Sequence, residues 1–130
     1  MKKRFDPVAG CNADIITCIT SSEEVRSAND DIQFKVRLCV EEVEENILAY
    51  SGTTWLEVWT AIEEGYLAIG FRDGGVKFDP TIAKDPDIMA PVDKRAIGGL
   101  GIFICKQMMN VLDYRYEDGC NVFVMKIKLP

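Results

Sequence analysis

Apolar residues recur at every third or fourth position through the middle of the chain. The pattern starts at residue 32 and stops at Gly52, a residue that favours a helix terminus. It predicts an amphipathic helix whose apolar stripe consists of Ile32, Val36, Val40, Val43, Ile47 and Tyr50. Residues 100–112, LGIFICKQMMNVL, show the same spacing and predict a second long helix.

Alternating apolar and polar residues predict strands elsewhere. Residues 55–62 and 66–73 alternate on either side of a Glu-Glu-Gly turn, and residues 113–129 alternate around Asp118 and Gly119, so we expect two β-hairpins. Residues 13–20, ADIITCIT, alternate weakly and are rich in β-branched types, which predicts a further strand. Ser21 and Ser22, followed by two glutamates, supply an N-cap signature for a helix.

The order of these elements indicates a fold class. Hairpins alternating with two long helices predict an α+β fold, a two-layer α/β sandwich with a mixed, mostly antiparallel sheet and helices packed on one face. The 130 residues correspond to a single domain, 1–130, with residues 1–12 as a candidate flexible N-terminal arm. Residues 74–97 are rich in glycine, proline and aspartate and predict a long irregular loop with the composition of a lid, over residues 79–97.

Composition excludes several classes of function. The net charge of −6 offers no basic stripe to nucleic acid or to an anionic membrane, and the absence of histidine excludes Ser/His/Asp catalysis and His-ligated zinc hydrolysis. Asp6 and Pro7 interrupt the start of the chain where a signal peptide would be apolar, and no apolar stretch could span a membrane, so we expect a cytoplasmic protein. The five cysteines are expected to be reduced and mostly buried.

Glu42 and Asn46 form the first candidate group. They lie one helical turn and about 40° apart, on one edge of the apolar stripe. A carboxylate there could act as a general base, and the amide oxygen could complete an Mg²⁺ shell that otherwise consists of water and phosphate. The alternative is a chance ExxxN pattern in a solvated acidic face that also contains Glu41, Glu44 and Glu45.

Asp73 and Gly75 form the second candidate group. Strand alternation puts Asp73 at the end of an otherwise apolar row, where a carboxylate needs a partner. The exocyclic amine of adenine is one such partner, with Gly75 allowing the base to lie against the backbone. The alternative is a simple turn at Asp73 and Gly74.

Gly98, Gly99 and Gly101 form the third candidate group. They open the second predicted helix, whose first amides are free to bind phosphate oxygens. The sequence lacks both the Lys-Ser/Thr of a P-loop and the third small residue of a dinucleotide-binding fingerprint. The alternative is a packing turn that lets the helix approach the sheet closely.

Taken in order, the three groups resemble the ATPase superfamily of DNA gyrase, histidine kinases and the mismatch-repair ATPase, which has the Bergerat-type ATP-binding fold. Two segments are similar to the small cytoplasmic anti-sigma-factor serine kinases, whose sequence motifs read DxGxxFDP and GGLGxxLxxxxMDxxxY. These segments are FRDGGVKFDP and KRAIGGLGIFICKQMMNVLDYRYEDGCNVFVMKIKL. The resemblance runs from about residue 33 to residue 129.

The resemblance implies a role for each matching residue. Glu42 would be the general base, Asn46 would bind Mg²⁺, and Asp73 would bind adenine in a pocket shaped by Gly75 and Phe78. The ATP phosphates would be bound by the glycine loop and a preceding arginine, namely Arg95, Gly98, Gly99, Leu100, Gly101 and Ile102.

The function implied is Mg-ATP-dependent phosphorylation of a serine on an anti-anti-sigma-like protein. A sigma factor is a further candidate partner, and a homodimer is left open. Cys120 and Asn121 replace a threonine that many relatives use near adenine, and the ExxxN run is unusually acidic. A nucleotide-gated partner-binding module without phosphotransfer is therefore a second hypothesis, and an unliganded α/β scaffold is a third.

Overall fold

The computed structural model describes residues 1–6, 11–79 and 99–130. Within these ranges the chain forms five strands and four helices. The strands are β1 (Lys2–Phe5), β2 (Leu56–Glu63), β3 (Tyr66–Asp73), β4 (Val111–Glu117) and β5 (Cys120–Lys128). The helices are α1 (Cys11–Thr20), α2 (Glu23–Arg26), α3 (Asp30–Tyr50) and α4 (Gly99–Met108).

The strands form one sheet in the order β1-β2-β3-β5-β4. The predicted α+β sandwich is confirmed, and so are both hairpins. Every pairing among the described strands is antiparallel, whereas a mixed, mostly antiparallel sheet was expected. Strand β1 pairs with β2, from Lys2 opposite Trp59 to Phe5 opposite Leu56, so this part of the expected flexible arm is an edge strand instead.

The prediction of a strand over residues 13–20 is wrong, because this segment lies in helix α1. Its fully buried isoleucines, Ile15 and Ile19, are four residues apart, a spacing that fits both a strand face and a helix face. In a strand, Thr17 would share the buried face of Ile15 and Ile19. It is exposed instead, which fits a helix, where position 17 faces away from positions 15 and 19. Helix α1 packs against α3, and this tertiary contact selects the helical conformation over the strand that the spacing also allows.

Helix α3 confirms the central amphipathic helix. Its N-cap is Asn29, whose side-chain oxygen accepts a hydrogen bond from the Ile32 amide at 2.9 Å. The helix ends at Tyr50, and Gly52 then adopts a φ of 65°, which glycine tolerates without strain. Ser22 likewise caps the short helix α2, as its sequence signature predicts.

Helix α4 is shorter than predicted. It ends at Met108, and Val111 and Leu112, which the pattern placed in the helix, begin strand β4. The Asn110 backbone amide donates a hydrogen bond to the Lys126 carbonyl, and the Asn110 side-chain oxygen accepts one from the Lys128 amide. Pairing with β5 therefore replaces the helical hydrogen bonds at this point.

The hydrophobic core lies between the helices and one face of the sheet. Its strand side chains come from alternate positions of β2, β3 and β5, such as Val58, Phe71 and Phe123, which lie opposite one another in register. All five cysteines are free thiols, and four of them are buried, as expected. Among the described helices, none is long and apolar enough to cross a membrane.

Glu44 departs from the solvated acidic face that the sequence suggested. It is only 2% exposed, and its Oε2 atom has no hydrogen-bond partner in the described structure. Burial, with smaller contributions from the charges of Glu45 and Glu41, raises the pKa of Glu44 from its usual 4.5 to about 7. The ionised form of this side chain therefore opposes folding at neutral pH.

Replacement of Glu44 by glutamine is expected to flatten the pH dependence of stability. Between the unfolded pKa near 4.5 and the folded pKa of about 7, the native state retains a proton that the unfolded state has lost. The free energy of unfolding of the wild-type protein therefore falls as pH rises through this window, and Glu44 accounts for about 3 kcal/mol of the loss. Urea denaturation at closely spaced pH values measures the slope.

Glu45→Gln, next in sequence and exposed, is the matched control and should keep most of the wild-type slope. Glu42 also has a raised pKa and contributes in the same direction, so some slope remains in Glu44→Gln. An unchanged slope in Glu44→Gln would contradict the prediction.

Candidate functional site

Glu42 and Gly101 are brought together where α3 packs against α4. Glu42 is partly buried on α3, and Gly101 belongs to the first turn of α4. A Cβ atom added to Gly101 would overlap the Glu42 carboxylate, so a larger residue at this position would require the Glu42 side chain to move. The candidate general base therefore lies directly against the candidate phosphate-binding turn.

The environment of Glu42 strengthens it as a base. Burial, followed by the negative charges of Glu45 and Glu41, raises the pKa of the Glu42 carboxyl. A raised pKa means a higher affinity for a proton, which is what a general base needs near neutral pH. The acidic run that could be only a solvated face thus has a direct electrostatic effect on this carboxylate.

The contact between α3 and α4 continues one turn below this point. Cys39 and Cys105 are both fully buried there, and the Cys105 thiol lies 3.9 Å from the Cys39 carbonyl oxygen. The neighbouring Cys39 side chain, followed by burial, raises the pKa of the Cys105 thiol, which stays protonated. The two helices are therefore held together by close packing just beneath Glu42.

Asn46 lies on α3 one turn beyond Glu42 and is 7% exposed. Among the described residues, no three His, Cys, Asp or Glu side chains cluster as a protein-only metal site would require. One amide oxygen suits an Mg²⁺ ion that takes its remaining ligands from phosphate and water. The residues present fit such an ion only in company with a nucleotide.

Asp73 ends the apolar row of β3 as predicted and is 2% exposed. Its Oδ1 atom accepts two hydrogen bonds, from the Gly75 amide at 2.8 Å and from Asn121 Nδ2 at 3.0 Å. Within the described residues, both hydrogen bonds to this carboxylate end on the same oxygen. A carboxylate anchored through one oxygen can present the other to an amine.

The loop that follows β3 returns to the end of α3. A Cβ atom added to Gly75 would overlap the backbone carbonyl of Ser51, and the Val76 amide donates to that carbonyl at 2.8 Å. The rings of Phe78 and Tyr50 pack with centroids 5.9 Å apart. Gly75, which donates its amide to Asp73, and Phe78, which packs on Tyr50, therefore connect the Asp73 end of the candidate site to the helix that carries Asn46.

Helix α4 begins at Gly99, so the first-turn amides include those of Leu100, Gly101 and Ile102. Amides at this end of a helix have no intrahelical acceptor and favour anions. The Ile102 side chain is 2% exposed, so its contribution to a ligand would come from the backbone. Arg95 and Gly98 lie outside the described residues, as do residues 80–97 of the expected lid.

Sequence reasoning missed the residues that support Asp73. Asn121 is 3% exposed and hydrogen-bonded to Asp73, and Tyr114 donates its hydroxyl to Asn121 Oδ1 at 2.6 Å. The sequence marked Asn121 only as a departure from a threonine. An available signal was the position of this amide on the inward face of β5, where a buried polar side chain requires partners.

Comparison with known families identifies the class of protein. A family model described as "Histidine kinase-like ATPase domain" matches residues 12–127, which include all three candidate groups. The chain therefore belongs to the histidine kinase-like ATPase domain family, whose members bind ATP. No curated protein matches the chain at a significant level.

Solved structures share the fold at low sequence identity. One is the Acinetobacter baumannii histidine kinase AdeS, with a TM-score of 0.58 and 12% identity, over 99% of this chain and 68% of that one. Another is the histidine kinase domain from the Erythrobacter litoralis EL346 blue-light activated histidine kinase, with a TM-score of 0.55 and 14% identity, over 91% of this chain and 59% of that one. At these identities the likeness concerns the fold alone.

Proposed function

We propose that the chain is an Mg-ATP-dependent protein serine kinase of the anti-sigma regulatory type. Its substrate is a serine on a small anti-anti-sigma-like protein, and a sigma factor is a further partner. The protein acts in the cytoplasm, binds neither nucleic acid nor membrane, and is open to homodimer formation. The motif resemblance and membership of the ATPase family support the proposal.

The observation that carries the catalytic part is the contact between Glu42 and Gly101. A phosphate held by the first-turn amides of α4 lies next to a carboxylate with a raised pKa. That carboxylate can orient a serine hydroxyl and accept its proton as the hydroxyl oxygen attacks the γ-phosphorus of ATP, the bond from that phosphorus to the β–γ bridging oxygen breaks, and ADP leaves. The 130 residues contain no histidine, so no histidine of this segment can be the phosphate acceptor.

Positioning and electrostatics supply the remainder of the catalysis. Asp73 binds the adenine amine, and Gly75 and Phe78 line the base pocket. Asn46 would hold Mg²⁺, whose charge offsets that of the phosphates, and Arg95 would reach the terminal phosphate. The amides from Gly98 to Ile102 would bind the other phosphate oxygens.

Transfer of labelled phosphate tests the proposal. The purified chain is incubated with γ-labelled ATP, Mg²⁺ and a small anti-anti-sigma-like protein, and the label is located by mass spectrometry. We expect label on one serine, and none when the acceptor serine is replaced by alanine. Tight ATP binding with no label on any protein would contradict a kinase function.

That contradictory result would favour the second candidate, a nucleotide-gated module that holds its partner without phosphotransfer. The acidic environment of the base favours this candidate, since Glu41, buried Glu44 and Glu45 lie around Glu42 on α3. Negative charge at this density opposes a bound triphosphate unless Mg²⁺ accompanies it. A partner-binding assay with and without Mg-ATP distinguishes the two candidates.

A further inference from the structure

Asn121 is the centre of a buried hydrogen-bond network beside the proposed adenine site. It lies on β5 directly opposite Asp73 on β3 and is 3% exposed. Its Nδ2 atom donates to Asp73 Oδ1 at 3.0 Å and to the Val76 carbonyl at 2.8 Å. Its Oδ1 atom accepts from the Phe78 amide at 2.9 Å and from the Tyr114 hydroxyl at 2.6 Å.

These four partners fix the orientation of the Asn121 amide. A primary amide has two N–H donors and an oxygen with two lone pairs, and here each is used once. If the amide were flipped, its NH₂ group would face the Phe78 N–H and its oxygen would face the Asp73 carboxylate and the Val76 carbonyl. Donor would then face donor and acceptor would face acceptor, and both contacts are repulsive. The surroundings therefore permit only the observed orientation of the amide.

Tyr114 holds the oxygen side of this amide. Burial, followed by the negative charge of Asp79, raises the pKa of the Tyr114 hydroxyl, which therefore remains protonated and available as a donor. The Phe78 amide, on the same side, belongs to the loop that leaves β3. The network thus joins strands β3, β4 and β5 to the first residues of the loop.

The consequence for Asp73 is a carboxylate with a fixed direction. Its Oδ1 atom is held by Gly75 from the loop and by Asn121 from the neighbouring strand. A carboxylate held in this way cannot rotate to suit a different base. Adenine presents an amine donor at its C6 position, whereas guanine presents a carbonyl oxygen there, which a fixed carboxylate repels.

We infer that Asn121 is a positioning residue for nucleotide recognition: it holds Asp73 toward the adenine amine and thereby sets the preference for adenine over guanine. The inference rests on ATP binding at the site proposed above. Asn121 acts through Asp73, so its effect on affinity depends on the exocyclic amine of the ligand.

Three nucleotides test this dependence by calorimetry in the presence of Mg²⁺: ATP, GTP and purine riboside triphosphate, which is ATP without the exocyclic amine. Asn121→Ala is expected to weaken ATP binding about tenfold, as the loss of a well-oriented hydrogen bond to a charged group would. Purine riboside triphosphate should bind wild type and variant within about twofold, and the preference for ATP over GTP should fall about tenfold.

Tyr114→Phe provides a second variant that removes one hydroxyl and disturbs the fold less. It should weaken ATP binding about threefold and leave purine riboside triphosphate binding unchanged, because the Asn121 amide keeps three of its four partners. Tyr116→Phe is the matched control: Tyr116 lies two residues along the same strand, is 43% exposed, and should leave all three affinities unchanged.

Equal weakening of ATP and purine riboside triphosphate in both variants would overturn the inference, since Asn121 would then act only through the stability of the fold. Unchanged ATP affinity in both variants would overturn it as well. A wild-type chain that binds none of the three nucleotides would overturn the proposed function itself, which distinguishes the two failures.

Discussion

Glu42→Gln is expected to reduce phosphate transfer by roughly 10²–10⁴-fold, the range that general bases contribute, while ATP affinity stays within about threefold of wild type. Glutamine has the shape of glutamate, so it preserves the close packing against Gly101, but it cannot accept the serine proton. Initial rates with γ-labelled ATP measure transfer, and calorimetry measures affinity. The split between the two quantities is the signature of a residue that acts in the chemical step.

Glu45→Gln is the matched control for the Glu42 variant. It removes the same charge from the same helix, but its side chain is exposed. Because the charge of Glu45 helps to raise the pKa of Glu42, this control should shift the pH profile of transfer toward lower pH and leave the maximal rate unchanged. Transfer at the wild-type rate by Glu42→Gln would exclude Glu42 as the base.

The pH profile of the wild-type chain provides a second readout of the same residue. A general base works in its ionised form, so transfer should fall as pH drops through the pKa of Glu42, which lies above its usual value of 4.5. The contributions of Glu42 and Glu44 to stability change in the opposite direction over the acidic range, because the folded state favours their protonated forms, whereas Glu24, whose pKa is lowered by the N-terminal amine, loses its contribution as pH falls. Thermal melting at each pH therefore accompanies the rate measurement and separates loss of transfer from unfolding.

Asp73→Asn is expected to weaken ATP binding by about 10- to 150-fold, the equivalent of one hydrogen bond to a charged group. The amide keeps the size of the carboxylate, but it replaces an acceptor with an NH₂ group and removes the charge that attracts the adenine amine. Asp73→Ala would also leave the Gly75 amide and Asn121 Nδ2 without their acceptor, so the asparagine variant is the cleaner test.

Calorimetric titration with Mg-ATP measures the Asp73 effect, with thermal melting as a check that the variant is folded. Asp113→Asn on strand β4 is the matched control, since its side chain is 55% exposed and paired with Arg115. We expect no change in ATP affinity for this control. Retention of wild-type affinity in folded Asp73→Asn would exclude Asp73 as the adenine-binding residue.

Much of the architecture could be predicted because its signals are local. Gly52 marks the end of α3, and Asp118 and Gly119 form a turn with positive φ at both residues, as the hairpin prediction implies. The strand predicted over residues 13–20 was wrong, because the spacing of Ile15 and Ile19 fits the period of a strand as well as that of a helix. Only packing against α3 selects the helix.

The sequence predicts the candidate site residues but not the side chains that support them. The order of Glu42, Asn46 and Asp73 along the chain marks them as candidates, because it resembles the motifs of the ATPase superfamily. Their partners come from elsewhere in the chain, and Asn121 lies 48 positions from the Asp73 it holds. No local pattern indicates such a pairing, because it depends on the register between β3 and β5.

The amino-acid pattern thus accounts for the helices and hairpins, the excluded chemistries and the family motifs, since each depends on neighbours in the chain or on residue type alone. Burial and hydrogen bonding depend on elements that meet only after folding. Folding therefore decided that Glu44 is enclosed while Glu45 remains exposed, that Gly101 lies against Glu42, and that Asn121 holds Asp73.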